Sequence, residues 1–161
     1  MSVSKKRFRS VLGRLAGGVA VVTSLEPDGT PRGLTATALC SVSLDPPLVL
    51  ASLDRGSRTH TAVEASGVYA INLLASDQEG LAVRFARKEA GKFRDLEVET
   101  RATGAPLLAG TMGYLDCEVA RVVPAGDHTL FIGGVEEADV QGDSGRPLIY
   151  HMGRYGTLED G

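Results

Sequence analysis

Apolar and polar positions alternate with a period of two along most of this chain, and only three short stretches change to helical spacing. Val19 to Leu25 is a β-rich run, Pro27-Asp28-Gly29 is a turn, and from Arg32 the chain returns as a strand of small residues, so the first unit reads as a hairpin. The stretch Leu34 to Leu53, LTATALCSVSLDPPLVLASL, organises the rest. It starts with Thr35, Ala36, Thr37 and Ala38, breaks at Asp45-Pro46-Pro47, and resumes as the apolar run Leu48 to Leu53. Alternation of Thr35, Thr37 and Leu39 against Leu34, Ala36 and Ala38 gives one packed face and one able to offer hydroxyls and main-chain N–H groups. Side chains this small let a flat ligand approach the backbone; they equally suit a tightly packed core strand.

Val68 to Leu73 is a further apolar strand, and after Met112 the chain turns strongly β. There Leu115, Cys117 and Val119 alternate with Asp116 and Glu118, and Pro124-Ala125-Gly126-Asp127 makes a turn. His128 to Val135 returns, and a polar turn around Gly142 to Gly145 precedes Pro147 to Met152. Helical spacing places Phe8, Val11, Leu12 and Leu15 on one face of a helix capped by Ser4 and ended by Gly17-Gly18. A short helix follows near Thr61 to Ala65, and Ser76-Asp77-Gln78-Glu79 reads as a capping box opening a helix through Phe85 and Arg87. The link from Lys88 to Gly110 is long and polar, which predicts a functional loop or a segment draped over a neighbour. Several short strands with two or three peripheral helices predict a mainly β fold, a closed or nearly closed β-barrel, in a single domain over residues 1–161.

Composition narrows the function classes. With 43% hydrophobic residues, 23% charged and a formal charge of -3, the chain has the make-up of a globular protein with no basic excess for nucleic acid. No window approaches a membrane span, and the basic N-terminus leads into a stretch too short and Gly-interrupted for a signal-peptide core, so a cytoplasmic location is expected. Cys40 and Cys117 stand far apart with no CxxC spacing and read as small buried hydrophobes.

Candidate chemistry concentrates in the loop Asp54-Arg55-Gly56-Ser57-Arg58-Thr59. Glycine, hydroxyls and arginine at a helix start suit a phosphate, because unpaired N–H groups, the helix dipole and a fixed cation all favour an anion. A solvent loop with a helix cap is the plainer reading. Lys92 is not a Walker A lysine, since Ala86 stands where that motif needs glycine. Gly142-Asp143-Ser144-Gly145-Arg146-Pro147 looks superficially like a serine-protease nucleophile loop, but too little chain follows Ser144 to build a specificity pocket, and a charged hairpin turn is expected. His60, His128 and His151 show no HxH or HxxxH spacing, so no metal site is expected. No GxGxxG opens a helix after a strand, which excludes a Rossmann nucleotide domain.

The ordered set Leu34 to Leu53, Phe85-Ala86 with Lys92-Phe93, Gly104-Ala105-Pro106-Leu107-Leu108, Gly126-Asp127-His128-Thr129-Leu130-Phe131-Ile132-Gly133, and Tyr150 with Gly153 and Tyr155 resembles the short-chain flavin reductases. Those are NAD(P)H-dependent partners of two-component flavin monooxygenases. The resemblance implies the FMN-binding split barrel, a homodimer, FMN or FAD with NADH or NADPH, and a separate monooxygenase receiving reduced flavin. By the same resemblance Thr35, Ala36, Thr37, Ala38, Ser41 and Val42 line the isoalloxazine, and Ser52 and Leu53 flank it. Ser57, Arg58 and Thr59 take the phosphate, with Phe85, Ala86, Lys92 and Phe93 closing the ribityl side. His128, the one residue given a catalytic role, and Gly153, Arg154 and Tyr155 contact the nicotinamide. Leu39 stands where the family usually has Phe, and Gly134 where it usually has Arg. A flavin-binding electron carrier or redox sensor on the same barrel is the alternative, and an oxidase resembling the pyridoxamine-phosphate oxidases is a second.

Overall fold

A computed structural model describes residues 2–142 and 145–159. Asp143 and Ser144, and with them the tip of the expected polar turn and the protease-like loop, lie outside the described residues. The elements in chain order are α1 (Lys5–Leu12), β1 (Gly17–Gly18), β2 (Ala20–Leu25), β3 (Pro31–Ala36), β4 (Leu39–Leu44), β5 (Pro47–Asp54), α2 (Arg58–Ser66) and β6 (Val68–Leu73). After a 3-10 turn (Ser76–Gln78) come α3 (Glu79–Ala86), β7 (Val98–Glu99), β8 (Leu107–Leu108), β9 (Gly113–Ala125), β10 (His128–Val140), β11 (Ile149–His151) and β12 (Arg154–Gly156).

Seven strands form one antiparallel sheet in the order β3-β2-β6-β9-β10-β5-β4. Its two edges, β3 and β4, are consecutive in sequence and joined only through Thr37 and Ala38. The sheet must therefore curl until its edges nearly meet. Ser52 N donates to Ala38 O at 3.0 Å and Leu39 N to Thr37 O at 3.0 Å, which pins the crossing point over β5. The stretch expected to run as one strand from Leu34 to the Asp45-Pro46-Pro47 break is thus two strands on opposite edges. The result is a barrel split along one seam, the mainly β architecture that the alternating pattern predicts.

Inside the barrel, Val22, Ala51, Leu53, Tyr69, Ile71 and Phe131 form a solvent-free core. Tyr69 reaches across it, its hydroxyl 3.2 Å from Val49 O and 3.1 Å from Phe131 O. Gly133 makes room for that ring, because a Cβ there would lie 2.5 Å from the Tyr69 oxygen. A second cluster under α3 joins Val21, Leu74, Phe85, Leu108 and Leu148.

The second half of the Lys88–Gly110 link is fastened to its own barrel. Val98 and Glu99 pair with Leu108 and Leu107, and Ala105 and Leu107 pack on Ala70 and Tyr114. Buried Asn72 holds this end in place. Its Nδ2 donates to Val21 O at 3.0 Å and to Thr23 Oγ1 at 3.1 Å, while its Oδ1 accepts from Leu108 N at 2.8 Å, so every polar group it brings inside is paired. The same cover buries Asp116, which alternates with Leu115 and Cys117 along β9, against Thr103 N at 2.9 Å.

Three helix boundaries differ from expectation. α1 stops at Leu12 with Gly13 as its cap, and Gly17-Gly18 is a strand paired with β11. α2 begins at Arg58, capped by Ser57, not near Thr61. The turn before α3 is entered through Ala75, whose N–H donates to Gln78 Oε1 at 2.9 Å, so Ser76 is not the cap. Cys117 is buried, which pushes its thiol up to about 12. Cys40, against expectation, is exposed on edge strand β4, its thiol donating to Ser41 O at 3.1 Å. Among the described residues, no helix is long and apolar enough to cross a membrane.

Candidate functional site

A cleft of about 770 Å³ lies along β3, walled by the Thr37–Ala38 crossing, the start of α2 and the segment after α3. Its floor is the small-residue strand: Gly33 and Thr35 through Ala38 all line it. β3 is an edge strand, so one set of its main-chain groups has no strand partner. The Thr35 hydroxyl, however, donates to Ala82 O at 2.6 Å and fastens α3 instead of facing a ligand. Ser52 enters the cleft from β5, whereas Leu53, next along the pleat, is buried in the barrel core.

One end of the cleft is built for an anion. Asp54 Oδ1 accepts from Gly56 N at 2.6 Å and Asp54 O from Ser57 N at 3.0 Å, folding the loop into the start of α2. Ser57 Oγ caps His60 N at 3.1 Å. The N–H groups of Arg58 and Thr59, in the first turn, have no acceptor within the helix, and both residues line the cleft with Ser57. Buried His60 then ties α2 to β10: its Nε2 lies 2.8 Å from Thr129 Oγ1 and its ring meets Phe131 edge-on at 5.2 Å. Beside Thr129, His128 lines the cleft with its Nδ1 2.7 Å from the Asp127 carboxylate. That hydrogen bond holds the Asp127 carboxyl below the usual carboxylate range.

The opposite wall comes from α3 and the residues after it. Phe85 and Phe93 pack edge to face at 5.0 Å, and Lys92 Nζ donates to Gly33 O at 3.1 Å and Phe85 O at 3.0 Å. Burial, and to a lesser degree the charge of Arg32, lower the Lys92 pKa. Two of its three N–H groups are spent on carbonyls, which leaves one for a ligand. Gly33 permits this wall, since a Cβ there would lie 2.7 Å from the Phe85 ring. Ala86 completes the lining.

Besides Leu53, five expected site residues stand elsewhere. Ser41 and Val42 are exposed on β4, Arg154 and Tyr155 belong to a separate three-stranded sheet, β1-β11-β12, and Gly153 lies in the turn that leads into β12. Tyr155 packs on the cluster under α3, with its ring 5.0 Å from that of Tyr150. In a single chain these five do not reach the cleft. Sequence reading also passed over Arg32, Gly33, Arg87, Lys88 and Arg94, which do line it. Their only signal was adjacency to the small-residue strand and to Phe85-Ala86 and Lys92-Phe93.

Residues 12–159 match the family described as flavin reductase like domain. The chain belongs to the flavin reductase family. It is 41% identical over 159 residues to an NADH-dependent flavin reductase of Rhodococcus, covering 98% of this chain and 88% of that one. It is 36% identical over 158 residues to the reductase subunit of a flavin-dependent monooxygenase of Mycobacterium tuberculosis, covering 98% and 84%. Among solved structures, the Streptomyces globisporus NADH:FAD oxidoreductase in complex with NAD and FAD fragments superposes with a TM-score of 0.89 at 32% identity, covering 99% and 97%. The barrel of this flavin reductase is the split barrel that the resemblance implied. Its cleft fits a flavin on its own geometry: an open helix start with a cation for a phosphate, and a flat floor of Gly33, Ala36 and Ala38 against the Phe85–Phe93 wall for an aromatic ring.

Proposed function

We propose that this flavin reductase oxidises NADH or NADPH at the cleft, reducing FMN or FAD for a separate monooxygenase in the cytoplasm. The observation that carries the reading is the junction, in one cleft, of a phosphate-competent helix start and a flat strand edge. Arg58 and the N–H groups of Arg58 and Thr59 hold a phosphate, while Thr37, Ala38 and Ser52 bring backbone close to a ring. Lys92 offers its remaining N–H from the opposite wall. Bound flavin supplies the hydride-accepting ring; the protein's part is to bring the nicotinamide to near-attack distance and to stabilise developing charge with fixed donors. His128, steadied by Asp127, stands where it can position the nicotinamide. Steady-state oxidation of NADH and NADPH with FMN, FAD and riboflavin supplied separately tests the reading. Turnover is expected only when a flavin is present, and turnover indifferent to flavin would refute it.

The flavin reductase acts as a homodimer. α1 buries none of its residues, and Phe8, Val11 and Leu12 are exposed at helical spacing on it, with Leu15 exposed just beyond its end, a surface suited to a two-fold apolar contact. Gly153, Arg154 and Tyr155, out of reach within one chain, would then serve the cleft of the other subunit. Sedimentation at micromolar concentration is expected to give a dimer, and a monomer reducing flavin at full rate would rule out a shared site.

A further inference from the structure

His60 is a buried titratable side chain that the proposed chemistry does not use. It sits in the first turn of α2, directly after Arg58 and Thr59, with its N–H capped by Ser57 Oγ at 3.1 Å. Its side chain leaves the helix toward β10, where Nε2 lies 2.8 Å from Thr129 Oγ1 and the ring stands edge-on to Phe131 at 5.2 Å and 65°. Thr129 and Phe131 are two apart on β10 and share the face turned to the core, so both contacts act on one stretch of strand. His128, one residue earlier, turns to the other face and lines the cleft.

The segment that prepares the phosphate end therefore holds His128 from both of its neighbours. On one side, Arg55 N donates to Asp127 O at 3.0 Å, and Asp127 Oδ1 lies 2.7 Å from His128 Nδ1. On the other, His60 grips Thr129. Between them His128 pairs with Asp54 across the β5–β10 ladder, and Asp54 accepts from Gly56 N and Ser57 N to fold the same loop. Arg55 and Asp127 are exposed, so water competes for that hold. The His60–Thr129 bond is buried, where a hydrogen bond is electrostatically stronger and a broken one leaves an unpaired polar group. It is the firmer of the two.

From this arrangement we infer that His60 is a positioning residue for hydride transfer: through Thr129 it fixes His128 in register with the start of α2, so that the contact made by the flavin phosphate helps to align the nicotinamide with the ring. The inference rests on the reading of the cleft given above. A phosphate held by the first turn of α2 orders that turn, and His60, one residue after Thr59, carries the order to β10. Binding energy gained at a remote group can be used in this way to orient reacting atoms, and a ligand lacking the group then loses rate as well as affinity. The dependence on position is steep, since a misplacement of about 1 Å can cost about 100-fold. His60 does not line the cleft and takes no part in the transfer itself.

The test is anaerobic single-turnover bleaching of FMN and of riboflavin by saturating NADH or NADPH, with the full chain in enough excess to bind all the flavin. Wild type is expected to bleach FMN about tenfold faster than riboflavin, which lacks the phosphate. In His60→Phe, which keeps a ring against Phe131 and loses the bond to Thr129, the FMN rate is expected to fall about tenfold, so that the ratio approaches one. Thr129→Val removes the same bond from the strand side and carries the same expectation, so a folding failure of one variant leaves the other to decide. His60→Gln, whose amide nitrogen reaches the place of the ring Nε2, is expected to restore the ratio to within about threefold of wild type. A merely structural His60 would lower the unfolding midpoint or the FMN affinity of these variants and leave the ratio unchanged, and that result overturns the inference, as does a wild-type ratio of one. If wild type reduces neither flavin, the reading of the cleft fails instead.

Discussion

Replacing Gly33 with valine is expected to destabilise the protein by about 1–3 kcal/mol and to abolish measurable FMN binding. A Cβ at this position would lie 2.7 and 2.9 Å from two atoms of the Phe85 ring and 3.3 Å from Phe93. Phe85 is fully buried and cannot swing aside without opening the cluster beneath α3. The ring must therefore be pushed out, carrying α3 away from β3. That movement breaks the bond from the Thr35 hydroxyl to Ala82 O and both carbonyl contacts of Lys92, which fix the two walls of the cleft. Backbone preference works in the opposite direction, because valine favours a strand more than glycine does. Any loss of stability thus reports the clash and not the propensity. Urea unfolding and an FMN titration check both arms, and a variant with the wild-type midpoint and affinity would show that the Phe85–Phe93 wall is not rigid.

Arg58→Ala is expected to weaken FMN binding by about 1–3 kcal/mol, about 5- to 150-fold in Kd, and to leave riboflavin binding nearly unchanged. Arg58 opens α2 and lines the cleft, so its guanidinium supplies a cation at the end of the helix where the first-turn N–H groups are open. Alanine is the best helix former, and the Ser57 cap on His60 N is untouched, so the helix itself survives. Only the charge is removed. Riboflavin lacks the phosphate and serves as the internal control. Equal losses for both ligands would assign this loop to the ring and not to the phosphate.

The mainly β class, the strand around Val68 to Leu73 and the long hairpin turning at Asp127 were legible because they follow from local alternation and turn residues. The split of Leu34–Leu44 into two edge strands was not. Thr35 to Ala38 alternate smoothly into Leu39 and Cys40, and only non-local pairing, β3 with β2 and β4 with β5, decides that the chain changes edges at Thr37. The burial of Asp116 left no signal, because its cover, Thr103, lies 13 positions away in a segment with no periodicity. Asn72 did leave a trace, as a lone amide in an apolar strand, but which main-chain groups it serves depends on where residues 106–108 fold back.

The candidate site was legible in parts. Small residues and the Ser57-Arg58-Thr59 loop are chemically suggestive where they stand, and the fold gathers them on one cleft with His128. Gly33 carried no signal in the sequence, since its need to lack a side chain comes from Phe85, more than fifty positions on. Arg87 reads as the end of a helix and Lys88 and Arg94 as part of a long polar link, and only the Lys92 tether and the Phe93 packing bring these residues to the cleft.

The most direct test of the central claim is anaerobic mixing of the protein, stoichiometric flavin and NADH or NADPH, followed by the absorbance of oxidised flavin. The account predicts that the oxidised spectrum bleaches fully with at least one of the two nucleotides. Flavin that binds in the cleft yet stays oxidised with both would contradict it and leave the protein a carrier.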